Sequence, residues 1–141
     1  MDNTKIIFDF LNSYHLCSLS TVAGNNFPEV SIVSFSQDEN LNIFFQTPNY
    51  YRKYENLKNN PNVAIAVGWG LEEMIAVQIE GVASEAKEDE IDSVRQIHIT
   101  KNPASKPYAH IPENKYFIVK PKWVRYMDLK SYPTKEFVVN F

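Results

Sequence analysis

The 141-residue sequence has one cysteine, Cys17, and only four glycines. A single cysteine cannot form an intrachain disulfide, and the N-terminus lacks the basic-then-apolar order of a signal peptide, so we expect a cytoplasmic protein. The sequence contains neither of the two Gly-rich phosphate-binding motifs, the Walker loop and the dinucleotide fingerprint, which is consistent with its low glycine count. Nucleotide binding by either of those loops is therefore excluded.

The sequence also lacks a strong net charge and a long apolar run. Its formal charge of -3 gives no general attraction to nucleic acid or to an anionic membrane surface. No apolar stretch approaches the roughly 20 residues that span a bilayer. We therefore expect neither a nucleic-acid partner nor membrane insertion, and any anion site must come from a local cluster of basic residues.

The composition is that of a globular chain rich in sheet-forming residues, with 44% hydrophobic and 13% aromatic residues. The length suits one domain over residues 1–141. Apolar runs and alternation predict strands at 16–22, 29–36, 41–46, 63–67, 75–86, 116–119, 123–127 and, as an edge strand or partner contact, 136–141. Sequential antiparallel pairing is the simplest topology for strands joined by such short polar turns.

Helical spacing of apolar residues predicts helices at 4–13 and 87–100, and a two-turn helix at 51–58 that stops before Pro61. Gly81 interrupts the long strand and predicts a bulge that helps it bend. The three prolines between residues 102 and 113 predict a loop.

The segment 42–53 is the most informative one for function. It runs from a strand through Thr47 to a helix start that places two cations, Arg52 and Lys53, in the first turn. Because a helix N-terminus already carries a partial positive charge, these cations favour a bound anion such as a phosphate. The alternative is that both are solvated surface residues, or that Glu55 pairs with one of them.

An ordered set of segments resembles the pyridoxamine 5'-phosphate oxidase-like family of FMN-binding split barrels. The likeness covers roughly residues 5–127, and its most specific part lies between residues 16 and 86. The segments that carry it are Leu-Cys-Ser-Leu-Ser-Thr-Val at 16–22, Phe-Pro-Glu-Val-Ser-Ile-Val-Ser-Phe at 27–35, Phe-Phe-Gln-Thr at 44–47 with Arg-Lys at 52–53, Leu-Lys-Asn-Asn-Pro at 57–61 and Val-Ala-Ile at 63–65.

The resemblance implies a mainly β fold, a six-stranded antiparallel split barrel with flanking helices, and a homodimer with FMN at the subunit interface. It assigns the FMN phosphate to Arg52 and Lys53, with Thr47 as a further phosphate or ribityl contact. The second strand would border the flavin ring, and its residues here are Ser31, Ile32 and Val33.

The sequence departs from the family pattern at three positions near the expected cofactor. Tyr51 stands where a Ser commonly precedes the Arg-Lys pair, and Ser31 stands where an Arg is often found on the second strand. A flavin-contacting Gln would align with Ala76, and Gln78 is the nearest substitute. The hydroxyl of Tyr51 is therefore a candidate phosphate contact in place of the Ser, and Gln78 a candidate ring contact.

The C-terminal part lacks the Arg-x-His substrate motif of true pyridoxamine phosphate oxidases, so vitamin B6 oxidation is not expected. The resemblance predicts an FMN-dependent oxidoreductase acting on an unidentified small molecule, with no catalytic side chain that can be assigned. The alternatives are a flavin-binding or stress-associated protein without turnover, and a relative that binds deazaflavin or haem.

The remaining chemistry-bearing residues have simpler structural interpretations. His15, His98 and His110 are far apart in sequence, so no metal site is predicted, although one of them could ligate haem. Cys17 is expected to be a buried small apolar residue. Trp69 is expected to be a core or interface aromatic, with a wall of the flavin pocket as the alternative.

Overall fold

The computed structural model describes residues 2–68 and 70–141, so the expectation for Trp69 lies outside the described residues. The helices are α1 (Asn3–Asn12), α2 (Arg52–Asn59) and α3 (Ile91–Lys101), and a 3₁₀ helix follows at Pro103–Tyr108. The strands are β1 (Leu16–Val22), β2 (Pro28–Ser34), β3 (Ser36–Gln37), β4 (Ile43–Pro48), β5 (Asn62–Val67), β6 (Ile75–Glu85), β7 (Asn114–Asp128) and β8 (Lys135–Asn140). The helices and strands predicted from the sequence therefore exist, with three differences: the two late strands form the single strand β7, the predicted strand at 29–36 is divided at Phe35 into β2 and β3, and the predicted loop at 102–113 contains the 3₁₀ helix.

The strands form one antiparallel sheet in the order β2-β1-β5-β6-β7-β4-β3, and β8 also pairs with β7. The expectation of sequential pairing is correct for β1 with β2, for β3 with β4 and for β5 through β8, but wrong for β4 with β5. After β4 the chain passes through α2, which carries it across the fold before β5. As a result β5 pairs with β1, and β4 pairs with β7.

Strand β7 has different neighbours along its two halves on the side opposite β6. Its first half pairs with β4 as far as Val119, and its second half pairs with β8 from Trp123 onward. Pro121 lies in the gap between these two ladders, where a strand tolerates a residue without an N–H donor. This divergence of β4 and β8 from one long strand splits the sheet.

The bulge predicted at Gly81 is confirmed. The register of β6 against β7 shifts between Glu80 and Gly81. Glu80 pairs with Trp123 and Gly81 pairs with Pro121, so Lys122 of β7 is the extra residue of the bulge. A Cβ at Gly81 would lie 2.7 Å from the carbonyl oxygen of Lys120, which explains why glycine occupies this position. The local bend lets one strand serve both parts of the split sheet.

Two apolar clusters hold the fold together. The larger one fills the inside of the curled sheet and is closed at one end by α1, which contributes the fully buried Ile7 and Leu11. The smaller one lies under α3 and contains Phe44, Val94, Tyr116 and Ile118. Alternate residues of β1, β4 and β5, such as Cys17 and Leu19 of β1, point into the larger cluster, as strand geometry requires.

The predicted fold class, a mainly β split barrel with flanking helices, is confirmed. The strand count is not: the described sheet has eight strands rather than six, because it includes the two-residue β3 and the C-terminal β8. None of the helices in the described part of the chain has the length and apolar character that a bilayer-spanning helix needs.

Candidate functional site

A cleft of about 610 Å³ separates β2 from the start of α2. One wall comes from β2 and the turn before it, and the other from the segment that leads into α2. The lining residues are Thr21, Phe27, Pro28, Glu29, Val30, Ser31, Tyr50, Tyr51, Arg52 and Lys53. Hydroxyls, cations and aromatic rings therefore share one concave surface, as is common in small-molecule sites.

Helix α2 begins at Arg52, so both cations lie in its first turn, as predicted. The first backbone N–H groups of a helix lack an intrahelical acceptor, and the residue before the helix, Tyr51, makes no side-chain capping bond to them. Free donors, the positive end of the helix dipole and two cationic side chains therefore lie together at this end of the cleft. This end of the cleft is suited to an anion.

Lys53 is the better placed of the two cations to hold an anion. Its side chain is half-buried, and burial lowers the pKa of its ammonium below the usual value. The Nζ atom lies 5.0 Å from the centre of the Tyr51 ring, and no carboxylate in the described part of the chain forms an ion pair with it. A partly desolvated ammonium without a counter-ion gains more from a bound anion than a fully solvated one does.

Arg52 is more exposed, with 81% of its side chain accessible, and it does have a counter-ion. Its Nη2 donates to Oε2 of Glu29 across the cleft. The other oxygen of Glu29 accepts a 2.7 Å hydrogen bond from Asn56, whose amide also donates to Thr21 at 3.0 Å. Glu55, the partner considered from the sequence, is not the residue that pairs with Arg52.

Four of the residues predicted to bind the cofactor line this cleft: Ser31, Tyr51, Arg52 and Lys53. Two others face inward elsewhere. Thr47 is buried, with its hydroxyl donating to the carbonyl of Pro48 at 3.1 Å, and Val33 packs against the main core. The structure therefore brings half of the predicted set together within one chain.

The remaining two predicted residues lie on the outer face of the sheet. Ile32 is 61% exposed there, and Gln78 lines a separate groove of about 290 Å³, in which its side-chain oxygen accepts from Arg125. The floor of this groove is made of small side chains, those of Ser18, Ser20, Ala64 and Ala66. Ile32 and Gln78 thus do not line the cleft that contains Arg52.

A larger cavity of about 800 Å³ adjoins the cleft and shares Tyr50 and Tyr51 with it. Its other walls include Gln46 on β4 and Tyr108 of the 3₁₀ helix. A ligand with its anionic end at α2 therefore has space for an extended, flat remainder beside exposed aromatic rings.

Sequence reasoning missed Glu29 and Asn56. The period of two along β2 places Glu29 on the same face as Ser31, and this alternation could have identified it as a cleft residue. Asn56 lies one helical turn after Arg52, but its burial depends on how α2 packs against β1 and β2, which the sequence does not reveal.

The histidines are scattered, and only one is buried. His98 is inaccessible, its Nδ1 lies 3.0 Å from the Ser36 hydroxyl, and burial lowers its pKa to about 4. His15 and His110 are exposed, and no cluster of three metal-ligating side chains occurs in residues 2–68 and 70–141. Cys17 is buried, as expected, and burial raises its thiol pKa to about 12.

Residues 4–128 of the chain match the family model described as pyridoxamine 5'-phosphate oxidase. A search of curated protein sequences finds no match.

Several solved structures share the fold at low sequence identity. A haem-binding protein from Mycobacterium smegmatis aligns with a TM-score of 0.85 and 17% identity over 99% of this chain, which spans only 58% of that protein. General Stress Protein 26 from Bacillus anthracis aligns with a TM-score of 0.77 and 20% identity over 99% of this chain and 100% of its own. The haem storage protein HutZ from Vibrio cholerae gives 0.71 and 18%, over 99% and 95% of the two chains.

Proposed function

Because the chain belongs to the pyridoxamine 5'-phosphate oxidase family, we propose that it binds FMN at the start of α2 and uses it as an oxidoreductase on a small molecule. Bound FMN would supply the chemistry, accepting and passing on a hydride or single electrons. The protein would supply affinity, orientation and electrostatics.

The observation that carries this proposal is the half-buried ammonium of Lys53, which no carboxylate of the described chain neutralises. It lies in the first turn of α2 beside a second cation, Arg52, and in the same cleft as two hydroxyls, those of Ser31 and Tyr51. Cations, hydroxyls and free helix N–H groups together form the donor set that a phosphate monoester accepts.

Each group would have a distinct part in holding the phosphate. Lys53 acts as a point charge, and Arg52 offers a planar fork of donors once it leaves Glu29. Tyr51 and Ser31 can each donate one hydroxyl hydrogen bond. The buried hydroxyl of Thr47 can take part only after a local rearrangement, because it now donates to the carbonyl of Pro48.

We further propose that the working form is a homodimer that uses the outer face of the sheet. Two rows of paired residues cross this face from β2 to β7, Ile32-Ser18-Ala66-Gln78-Arg125 and Val30-Ser20-Ala64-Glu80-Trp123. Small residues in the centre, with exposed Val30 and Ile32 at one side, allow close approach of a second sheet. Such packing would carry Gln78 and Ile32 of one protomer toward the cofactor of the other.

The test is a spectroscopic titration of the purified protein with FMN, followed by removal of free flavin. About one retained flavin per chain, lost in the double variant Arg52→Ala, Lys53→Ala, supports the proposal. Retention of FMN at unchanged affinity by that double variant would refute the phosphate assignment.

Turnover needs a separate assay, because a flavin-binding protein without activity shares all the features above. The FMN-loaded dimer is mixed with NADH or NADPH under anaerobic conditions, and bleaching of the flavin absorbance is followed. Reduction within seconds indicates an oxidoreductase, and flavin that stays oxidised for hours favours the storage or stress-associated role.

Haem is a second candidate ligand, because two of the similar structures are described as haem-binding or haem storage proteins. His98 is not accessible to haem in this structure, since it is fully buried. The exposed His15 and His110 are the available ligands. A Soret band that develops on adding haemin and disappears in one of the variants His15→Ala or His110→Ala would favour this candidate.

A further inference from the structure

We propose that Glu29 is a specificity-determining residue that competes with the ligand for Arg52. This inference rests on the proposed function, because it takes the cleft at the start of α2 to be the anion site. In the free protein the guanidinium of Arg52 forms an ion pair with the carboxylate of Glu29. An anionic ligand can therefore bind Arg52 only if this ion pair breaks.

The environment of Glu29 shows that it is the fixed member of the pair. Its side chain is only 20% exposed, compared with 81% for Arg52. The buried Asn56 holds the second carboxylate oxygen at 2.7 Å and is itself tied to the buried Thr21 at 3.0 Å. Glu29 therefore stays in the cleft when Arg52 moves, and Arg52 is the partner that can exchange.

The charges in the cleft define what this exchange selects. Lys53 and Arg52 contribute two positive charges, and Glu29, which lines the same surface, removes one. A phosphate monoester, with a charge of about -1.5 to -2, meets a cleft with a net charge near +1, and this net charge does not change when Arg52 exchanges partners, because Glu29 stays in place. The free phosphate group alone would then bind weakly, and a ligand needs further contacts with the aromatic part of the site.

The experiment compares four proteins: the natural chain, the variant Glu29→Gln, the variant Arg52→Ala, and the variant that combines Glu29→Gln with Arg52→Ala. Gln keeps an oxygen acceptor for Asn56 but loses the negative charge, and Glu29→Ala serves as a second variant if Gln disturbs the fold. Circular dichroism checks folding. The probes are FMN, riboflavin, which lacks the phosphate, and inorganic phosphate, with binding followed by flavin fluorescence and by amide NMR shifts at α2.

We expect Glu29→Gln to tighten FMN and inorganic phosphate binding by about tenfold, with less than a twofold change for riboflavin. Most of the gain should vanish in the Arg52→Ala background, since the exchange needs Arg52. An equal gain without Arg52 would show that Glu29 acts by charge repulsion alone, and weaker FMN binding in Glu29→Gln would show that it positions Arg52 for the ligand. Either result overturns the inference.

The probes also separate this inference from the function on which it rests. If FMN does not bind but Glu29→Gln strengthens phosphate binding through Arg52, Glu29 controls an anion site that serves another ligand. If FMN binds and Glu29→Gln changes nothing, the proposed function stands and the competition is wrong. If no variant binds FMN or inorganic phosphate, the cleft is not an anion site and the inference is overturned.

Discussion

The Nζ atom of Lys53 lies 5.0 Å from the ring centre of Tyr51, the residue just before α2. A cation–π contact of this kind holds the ammonium in place at the helix start but does not neutralise it. Tyr51 stands where the family pattern commonly has Ser, so the bulkier residue both orients Lys53 and keeps a hydroxyl at the cleft. The pair concentrates the unneutralised charge of the site on Lys53.

The first prediction therefore concerns Lys53. Lys53→Ala should weaken FMN binding by about 10- to 100-fold, because a charge-assisted contact contributes about 1.5–3 kcal/mol. The matched control is Lys58→Ala, which removes a lysine from the same helix that also lies over a tyrosine ring, that of Tyr54 at 5.0 Å, but does not line the cleft. Fluorescence titration measures both affinities. An equal loss in the two variants would mean that only the general charge of α2 matters.

The second prediction concerns the dependence of stability on pH. Burial lowers the pKa of His98 to about 4 from its ordinary value of about 6.5, so the unfolded chain binds a proton between these pH values while the folded chain does not. The free energy of unfolding should therefore fall as the pH drops from about 6.5 to 4, by at most roughly 3 kcal/mol for this residue. Urea unfolding at several pH values measures the slope.

The variant His98→Gln isolates this effect from the carboxylates, which also titrate at low pH. Its unfolding free energy should change less between pH 7 and 4.5 than that of the natural chain. Identical slopes would mean that His98 is protonated without cost in the folded state. Gln retains a polar group for Ser36, so the comparison does not rest on an emptied core position.

The third prediction concerns the bulge in β6. A Cβ at Gly81 would lie 2.7 Å from both the Lys120 oxygen and a methyl carbon of Val119, so Gly81→Ala should destabilise the fold by about 1–3 kcal/mol. Gly24→Ala is the control, because no heavy atom lies within 4 Å of a Cβ there. Thermal or denaturant unfolding compares them. Equal stabilities of the two variants would show that the bulge relaxes to accept a side chain.

The fourth prediction concerns the proposed dimer. Ala66→Arg places a long cation in the centre of the small-residue surface on the outer face of the sheet and should convert dimers to monomers. Ser93→Arg adds the same charge on the exposed side of α3 and should leave the dimer intact. Sedimentation or light scattering gives the masses. A dimer that survives Ala66→Arg would mean that the subunits meet elsewhere.

The sequence alone determined the elements of this protein to a large extent. Period-two alternation and short polar turns located the strands, because a half-buried strand must alternate apolar and polar residues. The adjacent cations Arg52 and Lys53 after a strand and before a helix indicated a candidate anion site, since their mutual repulsion favours a ligand. The bulge at Gly81 was also predictable, because a lone glycine within a long strand marks such a site.

The tertiary structure alone decided how these elements meet. The pairing of β4 with β7 joins residues about seventy positions apart, and no local pattern encodes a partner at that distance. The same holds for the contact of Arg52 with Glu29, which depends on where α2 lies relative to β1 and β2. Local sequence patterns thus specify secondary structure and candidate charges, whereas burial and long-range packing determine which charge is neutralised and which is left for a ligand.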